Sequence, residues 1–438
     1  ILLLQMGVRL TIMILKKIKK NTQTHKHTIH TQHTKRNHEN NTPKRKGDNK
    51  MKQQVLDCFA KLFGGEGDIR TYFAPGRVNL IGEHTDYNGG HVFPCALTIG
   101  TYMAARKRDD RKLRFYSMNF EKLGVVESSL DEFLMGKEGN WTAYPKGMMW
   151  AFCQKGFPVE QGFDIVLYGN IPNGSGLSSS ASVETVTGVM LRDMFGYDTI
   201  SMIDIALYGQ FSENNYNGVN CGIMDQFASV FGKKGSLIRL DCRSLEYQYF
   251  PFEPKGYRLV LVDSVVKHEL ASSAYNKRRQ SCEAAVAAIQ KKHPHVEFLR
   301  DCNMEMLEEA KAEISAEDFM RAEYVIEEIQ RVLDVCDALE KGDYETVGQK
   351  MYETHQGMSK LYEVSCEELD FLNDLAFDCG VTGSRVMGGG FGGCTINLVK
   401  EELYNTFIEK AKEEFKKKFN RSPKIYDVVI SDGARRLE

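Results

Sequence analysis

The spacing of apolar and polar residues predicts a chain in which strands and helices are mixed. Short runs rich in Val, Ile, Leu and aromatic residues, bounded by Gly or Pro, indicate strands, and apolar residues three or four positions apart indicate helices. Strands are predicted over 71–73, 163–168, 235–241, 257–263, 394–399 and 425–430, with paired strands over 91–119 that turn at Asp109-Asp110-Arg111. Helices are predicted over 53–63, 141–154, 183–194, 201–214, 271–292, 315–341, 343–356, 367–378 and 401–418.

Residues 76–87, with the sequence GRVNLIGEHTDY, join an apolar run to a group of polar side chains. Three apolar residues are followed at once by Glu83, His84 and Asp86, and Gly and Pro lie on either side. Short apolar runs bounded in this way are typical of buried strand ends and turns. We therefore expect this segment to present two carboxylates and an imidazole that could hold the hydroxyls of a small polar molecule.

A loop rich in Gly and Ser, residues 171–182, stands between a predicted strand and a predicted helix. Free backbone N–H groups and the positive end of the helix dipole make that position suitable for a phosphate. The loop is neither a Walker A motif nor a dinucleotide fingerprint, since GxxxxGK[ST] and GxGxxG are both absent from the chain. Ser residues at the start of a helix also suit capping, so an ordinary capped loop is the alternative.

Two further segments have unusual composition. Residues 388–393 contain five glycines in six positions, which indicates unusual backbone angles or close contact with a partner. Asp225 lies among apolar residues, where an Asp is most often a helix cap or a surface residue.

Charge and cysteine usage narrow the choice of partner and compartment. Residues 1–50 hold twelve Lys or Arg and two acidic residues, so the rest of the chain carries −12 while the whole carries −2. A mildly acidic body disfavours nucleic acid as a partner. The eleven Cys are scattered without CxxC or Cys/His spacing, which indicates reduced thiols in a reducing compartment and hence a cytoplasmic protein.

The first fifty residues differ in composition from the rest. Their apolar start, residues 1–15, is shorter than the roughly 20 residues that span a bilayer, so no membrane partner is expected. The remainder is rich in Thr, Asn, His and Lys. We predict that residues 1–50 are a disordered basic leader outside the natural protein, which would begin at Met51.

Taken together, four segments resemble the GHMP small-molecule kinases, and the galactokinases among them. Residues 76–87 resemble the galactokinase signature, 176–181 the phosphate loop, 388–393 the C-terminal glycine motif and 220–226 the segment that carries the catalytic Asp. The resemblance covers about residues 54–436. We call residues 76–87 the signature segment, 174–180 the phosphate loop and 388–393 the glycine loop.

The resemblance implies an α/β fold of the two-layer α+β type, in two domains with the active site in the cleft between them. The N-terminal kinase domain would span residues 51–230 and the C-terminal one residues 231–438. The implied reaction is MgATP-dependent phosphorylation of the anomeric hydroxyl of D-galactose, which gives galactose 1-phosphate and ADP and is the first committed step of galactose use.

The resemblance also assigns roles to residues. Asp225 would be the catalytic base, with Arg77 beside it. The sugar would be bound by Glu83, His84, Thr85, Asp86, Gly222 and Tyr275. The ATP phosphates would be bound by Gly174, Ser175, Gly176, Leu177, Ser178, Ser179 and Ser180. Mg²⁺ would be bound by Ser180 and Glu213.

Two other functions remain open at this stage. One is an N-acetylgalactosamine kinase, which shares the scaffold; the other is a non-catalytic sensor that binds galactose and ATP. The complete Ser178–Ser182 run and the presence of Asp225 favour the enzyme over the sensor. We expect a monomer, with a dimer as the alternative, whose partners are galactose and ATP.

Overall fold

The strands form three sheets within the residues that the computed structural model describes, which are 43–132, 140–172, 174–266 and 271–438. In chain order the strands are β1 Arg70–Asn79, β2 His91–Val92, β3 Pro94–Lys107, β4 Lys112–Ser117, β5 Val126–Ser129, β6 Phe163–Gly169, β7 Ser236–Asp241, β8 Tyr247–Pro251, β9 Tyr257–Asp263, β10 Gly383–Val386, β11 Cys394–Lys400, β12 Lys424–Asp427 and β13 Arg435–Leu437.

Helices occupy much of the remaining chain. The α-helices are α1 Pro43–Phe63, α2 Ala143–Gln154, α3 Ser179–Phe195, α4 Met202–Ser212, α5 Met224–Phe231, α6 Ala271–Ile289, α7 Met304–Ala310, α8 Ala316–Glu340, α9 Tyr344–Gln356, α10 Glu367–Asp378 and α11 Tyr404–Phe419. Short 3₁₀ segments lie at Asp86–Asn88, Glu121–Leu123, Leu299–Asp301 and Lys311–Glu313, and π-helical turns at Glu213–Asn217 and Gly357–Leu361.

The largest sheet has the order β13-β1-β3-β6-β4-β5. Its strands pair antiparallel except for β4 and β6, which run parallel. The prediction that the strands of 91–119 pair with each other was wrong for β3 and β4, because β6 lies between them. The chain allows this insertion at Gly162, where any Cβ would lie 1.9 Å from the Lys112 carbonyl oxygen.

The second sheet, β10-β11-β9-β12, shares a hydrophobic core with the signature segment. Val78, Leu80 and Ile81 are fully buried there beside Leu261 and Ile396 of the second sheet. Burying side chains of this size contributes roughly 1.5–3 kcal/mol each. The end of β1 is therefore held firmly where the two sheets meet. A third sheet has the order β2-β7-β8.

Residues 48–438 form one compact unit. Within it, Val55 and Phe59 of α1 pack on Phe73 and Tyr102 of the largest sheet. The division into domains at residue 230 stays a prediction. The predicted leader lies largely outside the described residues. Its last eight residues, 43–50, belong to α1, and the leader stays a prediction.

Most other elements confirm the sequence-based predictions to within a few residues. Six short elements were not predicted from the sequence: β5, β8, β10, β13, α5 and α7. All eleven cysteines are free thiols, as predicted. In the described part of the chain, no helix combines the length and hydropathy needed to cross a bilayer.

Candidate active site

Arg77 extends from β1 at a point where the strand is irregular. The register between β1 and β3 shifts between Pro75 and Arg77. A Cβ on Gly76 would lie 2.7 Å from the Leu177 carbonyl oxygen, so only glycine lets the phosphate loop approach β1 this closely. The Arg77 backbone N–H donates to that same carbonyl at 3.2 Å. This hydrogen bond joins β1 to the phosphate loop at Arg77.

Asp225 lies in the first turn of α5 and pairs with Arg77 from 148 positions away. The Arg77 Nε donates to Asp225 Oδ1 at 2.8 Å, and Nη1 donates to the Gly176 carbonyl at 2.6 Å. The Ser178 hydroxyl donates to Asp225 Oδ2 at 2.5 Å. Arg77 is buried while the Asp225 side chain is 31% exposed, so the carboxylate faces an opening and the cation supports it from behind.

The phosphate loop ends at the first turn of α3. Ser178, the residue before that helix, has a left-handed backbone (φ 58°) and makes no side-chain cap. The expectation that a Ser caps this helix was wrong at Ser178, because its hydroxyl is taken by Asp225. The first N–H groups of α3 therefore have no side-chain cap, which suits an anion. Gly174 and Gly176 have φ near +75°, a conformation that glycine adopts without strain.

Glu83 holds the glycine loop. Its Oε1 accepts from Arg385 Nη2 at 3.0 Å and from the Gly388 backbone N–H at 2.8 Å, and the side chain is buried. A Cβ on Gly388 would lie 3.0 Å from the Gly176 carbonyl oxygen. Through Glu83, the signature segment therefore fixes the glycine loop against the phosphate loop. Its expected contact with sugar stays a prediction.

His84 and Thr85 are buried and bonded within the protein. The His84 Nδ1 lies 2.8 Å from the Tyr87 hydroxyl, and Nε2 lies 3.2 Å from the Gly389 carbonyl oxygen. Burial lowers the pKa of His84 to about 3, so the ring is neutral at pH 7. The Thr85 hydroxyl lies 2.6 Å from the His91 carbonyl oxygen, which gives Thr85 a local structural role.

Asp86 is held in one position by close packing. Its Oδ1 accepts from the Tyr87 N–H at 3.0 Å and its Oδ2 from the Met224 N–H at 3.4 Å. Gly222 passes so close that a Cβ there would lie 2.2 Å from Asp86 Oδ2. Burial, and next the negative charge of Asp225, raise the pKa of Asp86 to about 6.

Tyr275 of α6 completes this side of the site. Its ring centroid lies 5.1 Å from that of His84 and 5.7 Å from that of Tyr87. A Cβ on Gly389 would lie 3.3 Å from the Tyr275 ring. The site therefore combines three segments that are far apart in sequence.

Glu184 is a site residue that was not predicted from the sequence. It lies on α3 one turn after Ser180, and residues four apart share a helix face. It contacts Glu213, the first residue of the π-helical turn, and its Oε2 accepts from Gln226 Nε2 at 3.0 Å. Burial, and next the charge of Glu213, raise the pKa of Glu184 well above its ordinary value, and burial also raises the pKa of Glu213. The available signal was its i, i+4 spacing from Ser180.

These two carboxylates have unused oxygens. Within the described residues, Glu184 Oε1 and Glu213 Oε2 are buried and have no hydrogen-bond partner. A buried acceptor left in this way costs free energy unless another group pairs with it. Carboxylate and hydroxyl oxygens are the ligands that Mg²⁺ prefers, so Glu213, Glu184 and Ser180 form a donor set that fits a magnesium ion.

Matches to two family models define the class of protein to which the chain belongs. The GHMP kinases N terminal domain matches residues 143–233, and the GHMP kinases C terminal model matches residues 335–417. A mevalonate kinase structure from Methanococcus jannaschii has the same fold, with a TM-score of 0.59 at 18% identity over 84% of this chain and 99% of its own. The fold is thus that of a GHMP kinase, as the sequence predicted.

More similar relatives narrow this to one family. The galactokinase galactose-binding signature matches residues 57–107. The chain is 46% identical to the galactokinase of Clostridium beijerinckii over 86% of its own length and 97% of the relative's, and 43% identical to that of Bacillus subtilis over 89% and 100%. The structure of Lactococcus lactis galactokinase complexed with galactose has a TM-score of 0.85 at 36% identity, over 88% of this chain and 99% of that one. The chain belongs to the galactokinase family of ATP-dependent sugar kinases.

Proposed function

We propose that this protein transfers the terminal phosphoryl group of MgATP to the anomeric hydroxyl of D-galactose, giving galactose 1-phosphate and ADP. The observation that carries the proposal is the contact of Asp225 with both Arg77 and Ser178. This contact joins the signature segment to the phosphate loop at one partly exposed carboxylate. A sugar hydroxyl and a phosphate would therefore meet at Asp225.

Asp225 acts as the base in this proposal. It accepts the proton of the sugar hydroxyl as the new O–P bond forms and the bond from the γ-phosphorus to the β,γ-bridging oxygen breaks. The proton ends on the Asp225 carboxylate, and ADP leaves. Phosphoryl transfer depends mainly on alignment and on stabilising charge, and buried Arg77 supplies a permanent positive charge 2.8 Å from the base. Ser178 donates to the same carboxylate and restricts its rotation.

Asp86 and Tyr275 form the sugar side of the proposed site, with the Gly222 backbone against Asp86. The fixed Asp86 carboxylate offers acceptors to sugar hydroxyls at one position. A wrong epimer leaves such a buried acceptor without its partner, which costs roughly 1–3 kcal/mol. This cost of binding a wrong epimer supports a sugar of defined stereochemistry as the substrate.

The phosphate side uses the uncapped N-terminus of α3 and the backbone of residues 174–180. Ser180 and Glu213 would hold Mg²⁺, with Glu184 as a further acceptor. The ion would neutralise charge on the transferring phosphoryl group. The described residues contain no group of three or more His, Cys, Asp or Glu able to hold a metal, and Mg²⁺ bound with a nucleotide needs only one or two protein carboxylates.

A substrate panel tests the proposal. ADP release should depend on galactose and exceed release with glucose or N-acetylgalactosamine at equal concentration. Faster release with N-acetylgalactosamine would identify the other sugar kinase. Galactose binding without galactose-dependent ADP release would identify the sensor.

The cysteines also bear on the compartment of the enzyme, and its oligomeric state can be measured. We propose a cytoplasmic monomer, with a dimer as the alternative, because eleven free thiols suit a reducing compartment. Light scattering of the purified protein over a range of concentrations would distinguish the monomer from the dimer.

A further inference from the structure

Helix α8 packs against the turn that carries the predicted sugar ligands. This turn follows β1, and residues with positive φ, Gly82 (96°) and His84 (63°), lie on either side of Glu83. A Cβ on Gly82 would lie 2.8 Å from Val332 Cγ2 of α8. The helix therefore meets the backbone of the turn where its conformation is least ordinary.

Two polar groups of α8 bind the backbone of this turn. Glu328 Oε1 accepts from the Gly82 N–H at 2.8 Å, and the Tyr324 hydroxyl donates to the Glu83 carbonyl oxygen at 3.1 Å. Tyr324 and Glu328 are four positions apart on α8, so they share one face of the helix. Together they hold the peptide group before Gly82 and the peptide group after Glu83. Each of these peptide groups leads into a residue with positive φ.

Glu328 is a fully buried carboxylate. Its second oxygen, Oε2, accepts from Arg331 Nε and from the Thr354 hydroxyl, both at 2.8 Å. A buried ion pair adds little net stability, because the cost of removing two charges from water offsets their attraction. Stability alone therefore does not account for a carboxylate at this position, whereas the bond to the Gly82 N–H gives it a positioning role.

Arg385 of β10 binds the same segment independently of α8. Its Nε donates to the Leu80 carbonyl oxygen at 2.8 Å, and its Nη2 donates to Glu83 Oε1 at 3.0 Å. Arg385 thus holds the Glu83 side chain, whereas Tyr324 holds the Glu83 backbone. Because the bonds of Arg385 remain when a bond from α8 is lost, we expect such a loss to shift the turn rather than to unfold it.

We infer that Tyr324 and Glu328 are positioning residues for sugar recognition, which fix the backbone on both sides of Glu83 so that the sugar-binding side chains keep one arrangement. They act through the turn and not by touching a substrate. Neither of their bonds to the turn involves the phosphate loop, so their loss should weaken galactose binding more than ATP binding. The inference rests on the proposed function for this effect on galactose, and the hydrogen bonds can be tested without any ligand.

Hydrogen exchange of the ligand-free full chain tests the hydrogen bonds. The Gly82 amide should exchange slowly in the wild type, because it is bonded to a buried carboxylate. Glu328→Gln keeps the shape of the side chain, but its amide group cannot accept from both Gly82 and Arg331 as the carboxylate does. We expect exchange at Gly82 to be at least about tenfold faster in this variant, the effect of one lost hydrogen bond. Exchange as slow as in the wild type would overturn the inference.

Tyr324→Phe separates positioning from stability, and it carries the test if Glu328→Gln does not fold. Galactose affinity is measured by calorimetry, and the KM values for galactose and ATP by steady-state ADP release. In Tyr324→Phe we expect Kd and KM for galactose to rise about tenfold, while KM for ATP changes less than about threefold.

Tyr352→Phe is the matched control, because the Tyr352 hydroxyl donates to the Val381 carbonyl oxygen at 2.9 Å, away from the turn. It removes a bond of the same kind and should also lower the unfolding temperature, but galactose affinity should stay within about twofold of the wild type. An unchanged galactose affinity in Tyr324→Phe, equal effects of the two variants on galactose, or equal rises in both KM values would each make Tyr324 a merely structural residue and overturn the inference.

The double variant tests whether the two residues act on one turn. Tyr324→Phe combined with Glu328→Gln should raise the Kd for galactose by less than the product of the two single effects, because either change already releases the turn. Fully independent effects would contradict a shared action. A wild type that binds galactose but releases no ADP would refute the proposed function alone, since the exchange and binding measurements still decide the inference.

Discussion

A single methyl group added at Gly222 should displace the Asp86 carboxylate. A Cβ at this position would lie 2.2 Å from both Cγ and Oδ2 of Asp86, whereas ordinary contact begins at 3.4 Å. Asp86 or the backbone must therefore move by 1.2 Å, the difference between these distances. The bond from the Met224 N–H, already 3.4 Å long, would be lost.

A displacement of about 1 Å at a reacting or binding group costs on the order of 100-fold in rate, or about 2.7 kcal/mol. We therefore expect Gly222→Ala to lower kcat/KM for galactose about 100-fold while KM for ATP changes less than threefold. The loss should fall on galactose because the displaced carboxylate lies on the proposed sugar side of the site.

The measurement is steady-state ADP release with galactose varied at saturating ATP, together with thermal unfolding. Gly169→Ala is the matched control, because its Cβ would meet atoms only at 3.7 Å and beyond, in ordinary contact. It should match the wild type in both measurements. A Gly222→Ala enzyme with kcat/KM for galactose within threefold of the wild type would refute the role of Asp86.

Three further predictions concern single carboxylates. Asp225→Asn should lower kcat by about 10²–10⁴-fold, as expected for loss of a base, with little change in galactose affinity by calorimetry; near-normal turnover would remove Asp225 as the base. Since the pKa of Asp86 is raised to about 6, galactose KM should increase as pH falls through that value and Asp86 gains a proton. The transition should vanish in Asp86→Asn, and its persistence there would assign it to another group. Glu213→Gln should raise the Mg²⁺ concentration for half-maximal activity by about 10- to 100-fold, and an unchanged Mg²⁺ titration would exclude Glu213 as a ligand.

The sequence was most informative where a local pattern was strong. The strand Phe163–Gly169 and the helices Glu367–Asp378 and Tyr344–Gln356 lie where apolar spacing predicted them, because that spacing decides which face can be buried. Pairing was less predictable. Strand β6 separates β3 from β4 although the turn between them suggests a hairpin, because strand neighbours depend on which distant strands fill the core.

The sequence by itself determined the family and the groups available for chemistry, which are carboxylates, an arginine and two loops rich in glycine or serine. Only the tertiary structure decided what each group contacts. It pairs Arg77 with Asp225, binds Glu83 to Arg385 across 302 positions and encloses His84 between Tyr87 and Gly389. A polar group's partner is set by burial, because a buried donor or acceptor must pair with whatever the fold brings within about 3 Å. The partner of each buried polar group is therefore set by long-range packing, which the local spacing of residues does not indicate.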